Sequence, residues 1–275
     1  MPDSLQKLHY GSHQSQFMLI RKPVLQPEAE SLSATHGVPV VFFIHGGFWK
    51  EKWTVYTASL CELAIDITSR GMGAIELEYR RCEGDKSCYP ESNEDLINAV
   101  KKLYAATSDE VGFHIDWSRV VIVGHSAGGT LALTCAFETL NDPDLNGKIQ
   151  LKSVVALAPI TDLELGVRMR LSDEGTAIQQ YIGGTPDAKP EAYKRASPIN
   201  LVSVLATMPI LLVCGECDSD VPSKFCQNFR VMCVQQNVQS PVEFFEAREE
   251  DHFDVIEATS NSWQRVIAYI LSTCQ

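Results

Sequence analysis

Three residues of the chain could form a nucleophile, a base and an orienting acid: Ser126, His252 and Asp218. Ser126 lies in Gly124-His125-Ser126-Ala127-Gly128, directly after the apolar run Val120-Val121-Ile122-Val123. A serine on a sharp strand-to-helix turn is a nucleophile elbow, and the flanking glycines keep side chains out of a crowded corner. Such a serine needs a base, a group to orient that base, and donors for an oxyanion. Downstream of Ser126 the sequence holds one histidine, His252, in the polar stretch Glu249-Glu250-Asp251-His252-Phe253-Asp254. Two aspartates compete for the acid, Asp218 and Asp220, in the segment Gly215–Pro222 that follows the apolar run Met208–Cys214.

Oxyanion donors are expected from the residue after the nucleophile and from an earlier glycine-bearing loop. The apolar run Val40–Ile44 leads into His45-Gly46-Gly47-Phe48-Trp49. We assign the donors to Gly47, Phe48 and Ala127, and read His45 as a hydrogen-bonding residue that shapes the loop. Phe48, Trp49 and Trp53 either line an aromatic pocket beside it or pack the loop against the sheet, and the sequence favours neither.

The elements that must position these residues alternate between strand and helix. Expected strands are Phe17–Ile20, in an N-terminal hairpin, Val40–Ile44, Ala74–Tyr79, Val120–Val123, Ser153–Leu157, Met208–Cys214 and Val242–Phe245. Expected helices are Thr54–Arg70, Asn93–Ala106, Pro222–Gln236 and Ser262–Leu271, the first two with apolar residues at helical spacing. This is an α/β pattern, a mostly parallel sheet with helices on both faces. The elbow, the loop and the order serine, acid, histidine make it an α/β-hydrolase fold. In many α/β-hydrolases the acid loop looks like Gly-x-x-Asp-x-x-Val-Pro, and Asp218 falls on that aspartate. Asp220 is then a turn or helix-capping residue near Pro222. One domain over residues 1–275 is expected, with residues 163–201 as a small lid segment inside it.

The chain also resembles kynurenine formamidase of the serine-hydrolase type (arylformamidase). His45-Gly46-Gly47-Phe48-Trp49 is similar to that family's His-Gly-Gly-x-Trp motif. Asp251–Glu257 is similar to the segment around its catalytic histidine, and Ile160–Leu163 and Ala196-Ser197-Pro198 match as well. The likeness runs from about Tyr10 to Ile270. It implies Ser126, Asp218 and His252 as the triad, and hydrolysis of N-formylkynurenine to kynurenine and formate in tryptophan catabolism. The alternatives are a small carboxylesterase or deacetylase for short-chain acyl esters, and a catalytically silent binding protein of the same fold.

The 275 residues carry a net charge of −12, which argues against nucleic acid or an anionic membrane as partner. The expected partner is a small-molecule substrate, with a second copy in a homodimer the one protein partner considered. No apolar run approaches a bilayer span, and Met1–Lys7 lacks an apolar leader core. Nine cysteines suit a reducing, cytoplasmic setting with free thiols. No clustered histidine set calls for a metal, and the chemistry calls for no cofactor.

Overall fold

The apolar runs pair into one eight-stranded sheet in the computed structural model, which describes residues 5–26, 35–205 and 207–274. Residues 1–4 of the N-terminal stretch read above lie outside these. The strands are β1 (Gln6–His9), β2 (Phe17–Arg21), β3 (Val38–Ile44), β4 (Gly73–Leu77), β5 (Ile115–His125), β6 (Leu151–Leu157), β7 (Ile210–Gly215) and β8 (Val242–Ala247). Their spatial order is β1-β2-β4-β3-β5-β6-β7-β8. β2 pairs antiparallel with both β1 and β4, and all later neighbours pair parallel. Parallel strands need long crossovers, and helices supply them: α1 (Cys61–Ser69), α2 (Glu91–Ala105), α3 (Ala127–Asn141), α4 (Leu163–Arg168), α5 (Thr176–Ile182), α6 (Pro190–Ala196) and α7 (Lys224–Gln235), while α8 (Asn261–Thr273) follows the last strand. The fold is that of an α/β-hydrolase.

The continuous apolar runs have a physical cause, since both faces of the parallel strands are covered. Successive side chains of a strand point to opposite faces. Phe42, Ile44, Ile122, Ala156 and Leu212 share a core with α2, α3 and α7, where Leu96, Leu131 and Phe225 are buried. Val41, Phe43, Val123, Leu157 and Val213 enter a second core with α1 and α8, where Leu63, Ile67, Trp263 and Val266 are buried. Each fully buried side chain of this kind contributes about 1.5–3 kcal/mol. The sheet is therefore a stiff platform, and the carboxyl ends of β3, β5, β7 and β8 lead into the loops of the candidate site.

Two expectations change. The helix read over Thr54–Arg70 is confined to Cys61–Ser69. Thr54 instead opens a turn in which Ala58 N–H donates to the Thr54 carbonyl at 2.8 Å, and Val55 N–H donates to Glu78 Oε2 at 2.9 Å. Threonine hydroxyls offer the backbone an alternative to helix: Thr54 N–H donates to Thr57 Oγ1 at 2.8 Å. The strand read over Ala74–Tyr79 ends at Leu77, because Glu78 turns its carboxylate into the neighbouring loops. Residues 163–201 form α4, α5, α6 and a turn at Leu171–Glu174. Leu163, Ile178, Tyr181 and Tyr193 of this segment join the core shared with α2 and α3.

Candidate active site

Ser126 joins β5 to α3 with φ 56° and ψ −123°, a strained conformation for a residue with a Cβ. Such outliers cost of order 1–3 kcal/mol and persist only where surrounding structure fixes them. Here Ser126 N–H donates to the Leu157 carbonyl at 2.8 Å, and the Ser126 carbonyl accepts from Gly129 at 2.8 Å and Thr130 at 3.1 Å. The glycines of the pentapeptide are required by close approach. A Cβ on Gly124 would stand 2.1 Å from the Gly128 carbonyl oxygen, and one on Gly128 would stand 2.1 Å from that of Ile44. Ser126 Oγ is buried and has no hydrogen-bond partner among the described residues.

His252 follows β8 and is buried. Its Nδ1 donates to Asp218 Oδ2 at 2.7 Å. The two aspartates after β7 take different places. Asp218 is buried, and its Oδ1 accepts the N–H groups of Asp220 at 2.9 Å and Val221 at 2.7 Å. Those two bonds fix the carboxylate rotamer and leave Oδ2 to the imidazole. Asp220 is exposed and lends a backbone N–H to the turn, while helix α7 starts directly after Ser223. With Nδ1 committed as donor, His252 Nε2 is an acceptor, free to take a proton. The loop around the base is held by Asp251, whose Oδ1 accepts from Phe253 N–H at 2.7 Å and Asp254 N–H at 2.9 Å. These bonds keep the Asp251 carboxyl below its usual pKa.

Gly46, Gly47 and Phe48 line one cavity of about 330 Å³ together with Ser126 and His252. Gly47 has φ 110° and Phe48 has φ 48°. The N–H groups of Gly47 and Phe48 have no acceptor among the described residues. Ala127 begins α3, so its N–H has no carbonyl one turn earlier and sits at the positive end of the helix dipole. The loop conformation is fixed from beneath. Tyr79 stacks on the His45 ring at 4.6 Å between centroids, and Tyr79 OH donates to the His45 carbonyl at 2.8 Å. His45 Nδ1 lies 2.8 Å from the Gly46 carbonyl and Nε2 lies 3.1 Å from Glu78 Oε1. Burial pushes the His45 pKa down to about 3, the Gly46 carbonyl works in the opposite direction, and Arg81 beside the ring, itself paired with Glu78, adds to the lowering.

Glu78 escaped the sequence reading. Its carboxylate meets His45, Arg81, Val55 N–H and Tyr79 N–H, tying β4 to the loop after β3. No local periodicity distinguishes this glutamate from a solvated one. Trp49 corrects the pocket assignment. It is fully buried and stacked on Tyr181 at 4.1 Å and 7°, so it packs the loop on α5 and leaves the cavity to Phe48, Trp53 and Phe253. From residues 163–201, Ser172 reaches the cavity wall, and Lys50 donates to its hydroxyl at 3.2 Å and pairs with Asp173.

A family model described as BD-FAE matches residues 29–232, well over half of the chain. The chain belongs to the BD-FAE family. Among curated relatives, versiconal hemiacetal acetate esterase of Dothistroma septosporum is 27% identical over 203 residues, covering 67% of this chain and 58% of the relative. Arylacetamide deacetylase of Bos taurus is 28% identical over 129 residues, covering 47% of this chain and 31% of the relative. This BD-FAE chain therefore spans between about a third and three fifths of the length of these two relatives. Among solved structures, esterase B from Lactobacillus rhamnosis superposes with a TM-score of 0.75 at 17% identity, covering 99% of this chain and 85% of that one. A truncated carbohydrate esterase from gut microbiota gives 0.74 at 18% identity, covering 100% and 98%. At such identities the superpositions establish the fold. The resemblance to kynurenine formamidase is held to the superfamily level by these matches. No helix of this BD-FAE protein, among the described residues, is long and apolar enough to cross a membrane.

Proposed function

We propose that this BD-FAE protein is a serine hydrolase that cleaves short-chain acyl esters, a small carboxylesterase or deacetylase. The observation that carries the reading is His252, paired through Nδ1 with the buried Asp218, lining one cavity with Ser126 and with Gly47 and Phe48, whose backbone N–H groups have no acceptor among the described residues. In the proposed mechanism His252 Nε2 takes the Ser126 hydroxyl proton as Oγ attacks the ester carbonyl. The tetrahedral oxyanion is met by N–H groups of Ala127, Gly47 and Phe48. His252 then protonates the leaving alcohol as the acyl–oxygen bond breaks, and next deprotonates the water that releases the acid from Ser126. Asp218 holds the tautomer and stabilises the imidazolium. The names of the two curated relatives, an acetate esterase and a deacetylase, support small acyl groups.

Deformylation of N-formylkynurenine is the narrower reading, supported by the His45–Trp49 loop, the Asp251–Asp254 segment and the aromatic wall of Phe48, Trp53 and Phe253. An aryl ring stabilises the leaving nitrogen, so an ester-cleaving site can open an N-formyl arylamine. The test is kcat/KM for p-nitrophenyl acetate, butyrate and octanoate beside N-formylkynurenine. Acetate should be preferred over octanoate, because each methylene that the cavity cannot house costs about 1–3 kcal/mol of discrimination. A preference for octanoate would contradict the short-acyl reading. Absence of deformylation beside efficient acetate cleavage would remove the narrower one.

A further inference from the structure

His125, the variable residue of the elbow pentapeptide, has no role in the mechanism above, yet its imidazole is buried between the working loops. Its Nε2 lies 2.8 Å from the backbone carbonyl oxygen of His252, a contact spanning 127 residues of sequence. The two rings stand 4.7 Å apart at 46°. On the other side, His125 Nδ1 lies 3.3 Å from where a Cβ on Gly46 would be, so the ring is wedged against the oxyanion loop. His125 is the last residue of β5 and pairs in register with Leu157 of β6. One side chain, anchored on a strand paired on both sides and adjacent to Ser126, thus touches the loops that carry base and oxyanion donors.

We infer that His125 is a positioning residue, whose Nε2–H hydrogen bond to the His252 carbonyl fixes the base loop relative to Ser126. The inference rests on the serine-hydrolase reading. A carbonyl can only accept, so Nε2 must carry the proton, and the tautomer is the Nε2–H form. A neutral ring is required beside a base that itself becomes cationic. Burial first, and the neighbouring His252 second, push the His125 pKa down to about 3, in keeping with that requirement. The His252 side chain is held by Asp218, the loop is braced internally by Asp251, and Cys217 N–H ties it to the turn after β7 through the Glu250 carbonyl at 2.9 Å. The His125 bond adds what these do not: it ties the carbonyl of the base residue itself to the side chain next to Ser126, and displacements on the order of 1 Å near a reacting centre can cost 10²-fold in rate.

Two variants and one spectrum test it. His125→Phe keeps a planar ring and loses the donor. His125→Gln places an amide N–H as many bonds from Cβ as the imidazole Nε2. His125→Phe should lower kcat for p-nitrophenyl acetate by about 10- to 100-fold with little change in KM, because positioning of the base is felt in the transition state. His125→Gln should recover most of that loss. A folded His125→Phe with wild-type kcat, or a His125→Gln as impaired as His125→Phe, overturns the inference. Histidine-labelled wild-type protein offers a readout that needs neither variant: nitrogen NMR at neutral pH should show His125 as the neutral Nε2–H tautomer. The Nδ1–H tautomer or an imidazolium overturns the inference even if the enzyme is fully active. Ser126→Ala, assayed alongside, separates the two claims. Undiminished turnover in that variant sinks the serine-hydrolase reading and the positioning role with it, whereas a wrong His125 tautomer beside an inactive Ser126→Ala sinks the His125 inference alone.

Discussion

Replacing Ser126 by alanine is expected to leave a folded protein whose ester turnover falls by roughly 10³- to 10⁶-fold, the range in which triad losses lie. The fold should survive because Ser126 Oγ makes no hydrogen bond among the described residues, so its removal orphans no partner. Alanine also relaxes nothing at the elbow, since its Cβ occupies the same strained φ of 56°. The rate should collapse because the remaining groups have nothing to activate. The unused N–H groups and the cavity would still bind substrate, so KM should change far less than kcat. Steady-state kinetics with p-nitrophenyl acetate, beside circular dichroism of both proteins, checks this. A variant that keeps more than about a tenth of wild-type kcat would move the nucleophile elsewhere.

The second large effect separates the two aspartates. Asp218→Asn is expected to lower kcat by about 10⁴-fold, while Asp220→Asn stays close to wild type. The asymmetry follows from geometry. In the Asp218→Asn variant the side-chain carbonyl oxygen could still accept the N–H groups of Asp220 and Val221, so the turn would stand. The new amide nitrogen would then face His252 Nδ1, where Asp218 Oδ2 now accepts at 2.7 Å. A donor there favours the tautomer with the proton on Nε2, which cannot take one from Ser126. Asp220 contributes its backbone N–H, which the substitution leaves in place. Equal losses in the two folded variants, measured as kcat for p-nitrophenyl acetate, would contradict this assignment.

What could be read from sequence was whatever local geometry dictates. The elbow was legible because Gly124 and Gly128 stand where neighbouring backbone leaves no room for a Cβ. The strands were legible because β3, β5, β6 and β7 are covered on both faces and must be apolar throughout. Asp218 and Asp220 were harder, being two residues apart in one turn. Three-dimensional hydrogen bonding distinguishes them, through an Asx-like turn that aims one Oδ2 at His252. Trp49 read equally well as pocket wall or packing, and the choice was made by Tyr181, a residue distant in sequence. Glu78 carried no local signal at all. A buried carboxylate is recognisable only by the partners that the fold brings to it, here His45, Val55 and Arg81. The turn at Thr54 likewise depended on that carboxylate, which draws the Val55 N–H away from a helix.

Passage of the acyl group through Ser126 is tested by trapping the intermediate. The protein is mixed with p-nitrophenyl acetate, quenched in acid during turnover, digested and analysed by mass spectrometry. One acetyl adduct is expected, on the peptide that contains Gly124–Gly128 and localised to Ser126, accumulating within the first turnover and vanishing as substrate is exhausted. Turnover with no adduct on Ser126, or with a transient adduct on any other residue, would contradict it.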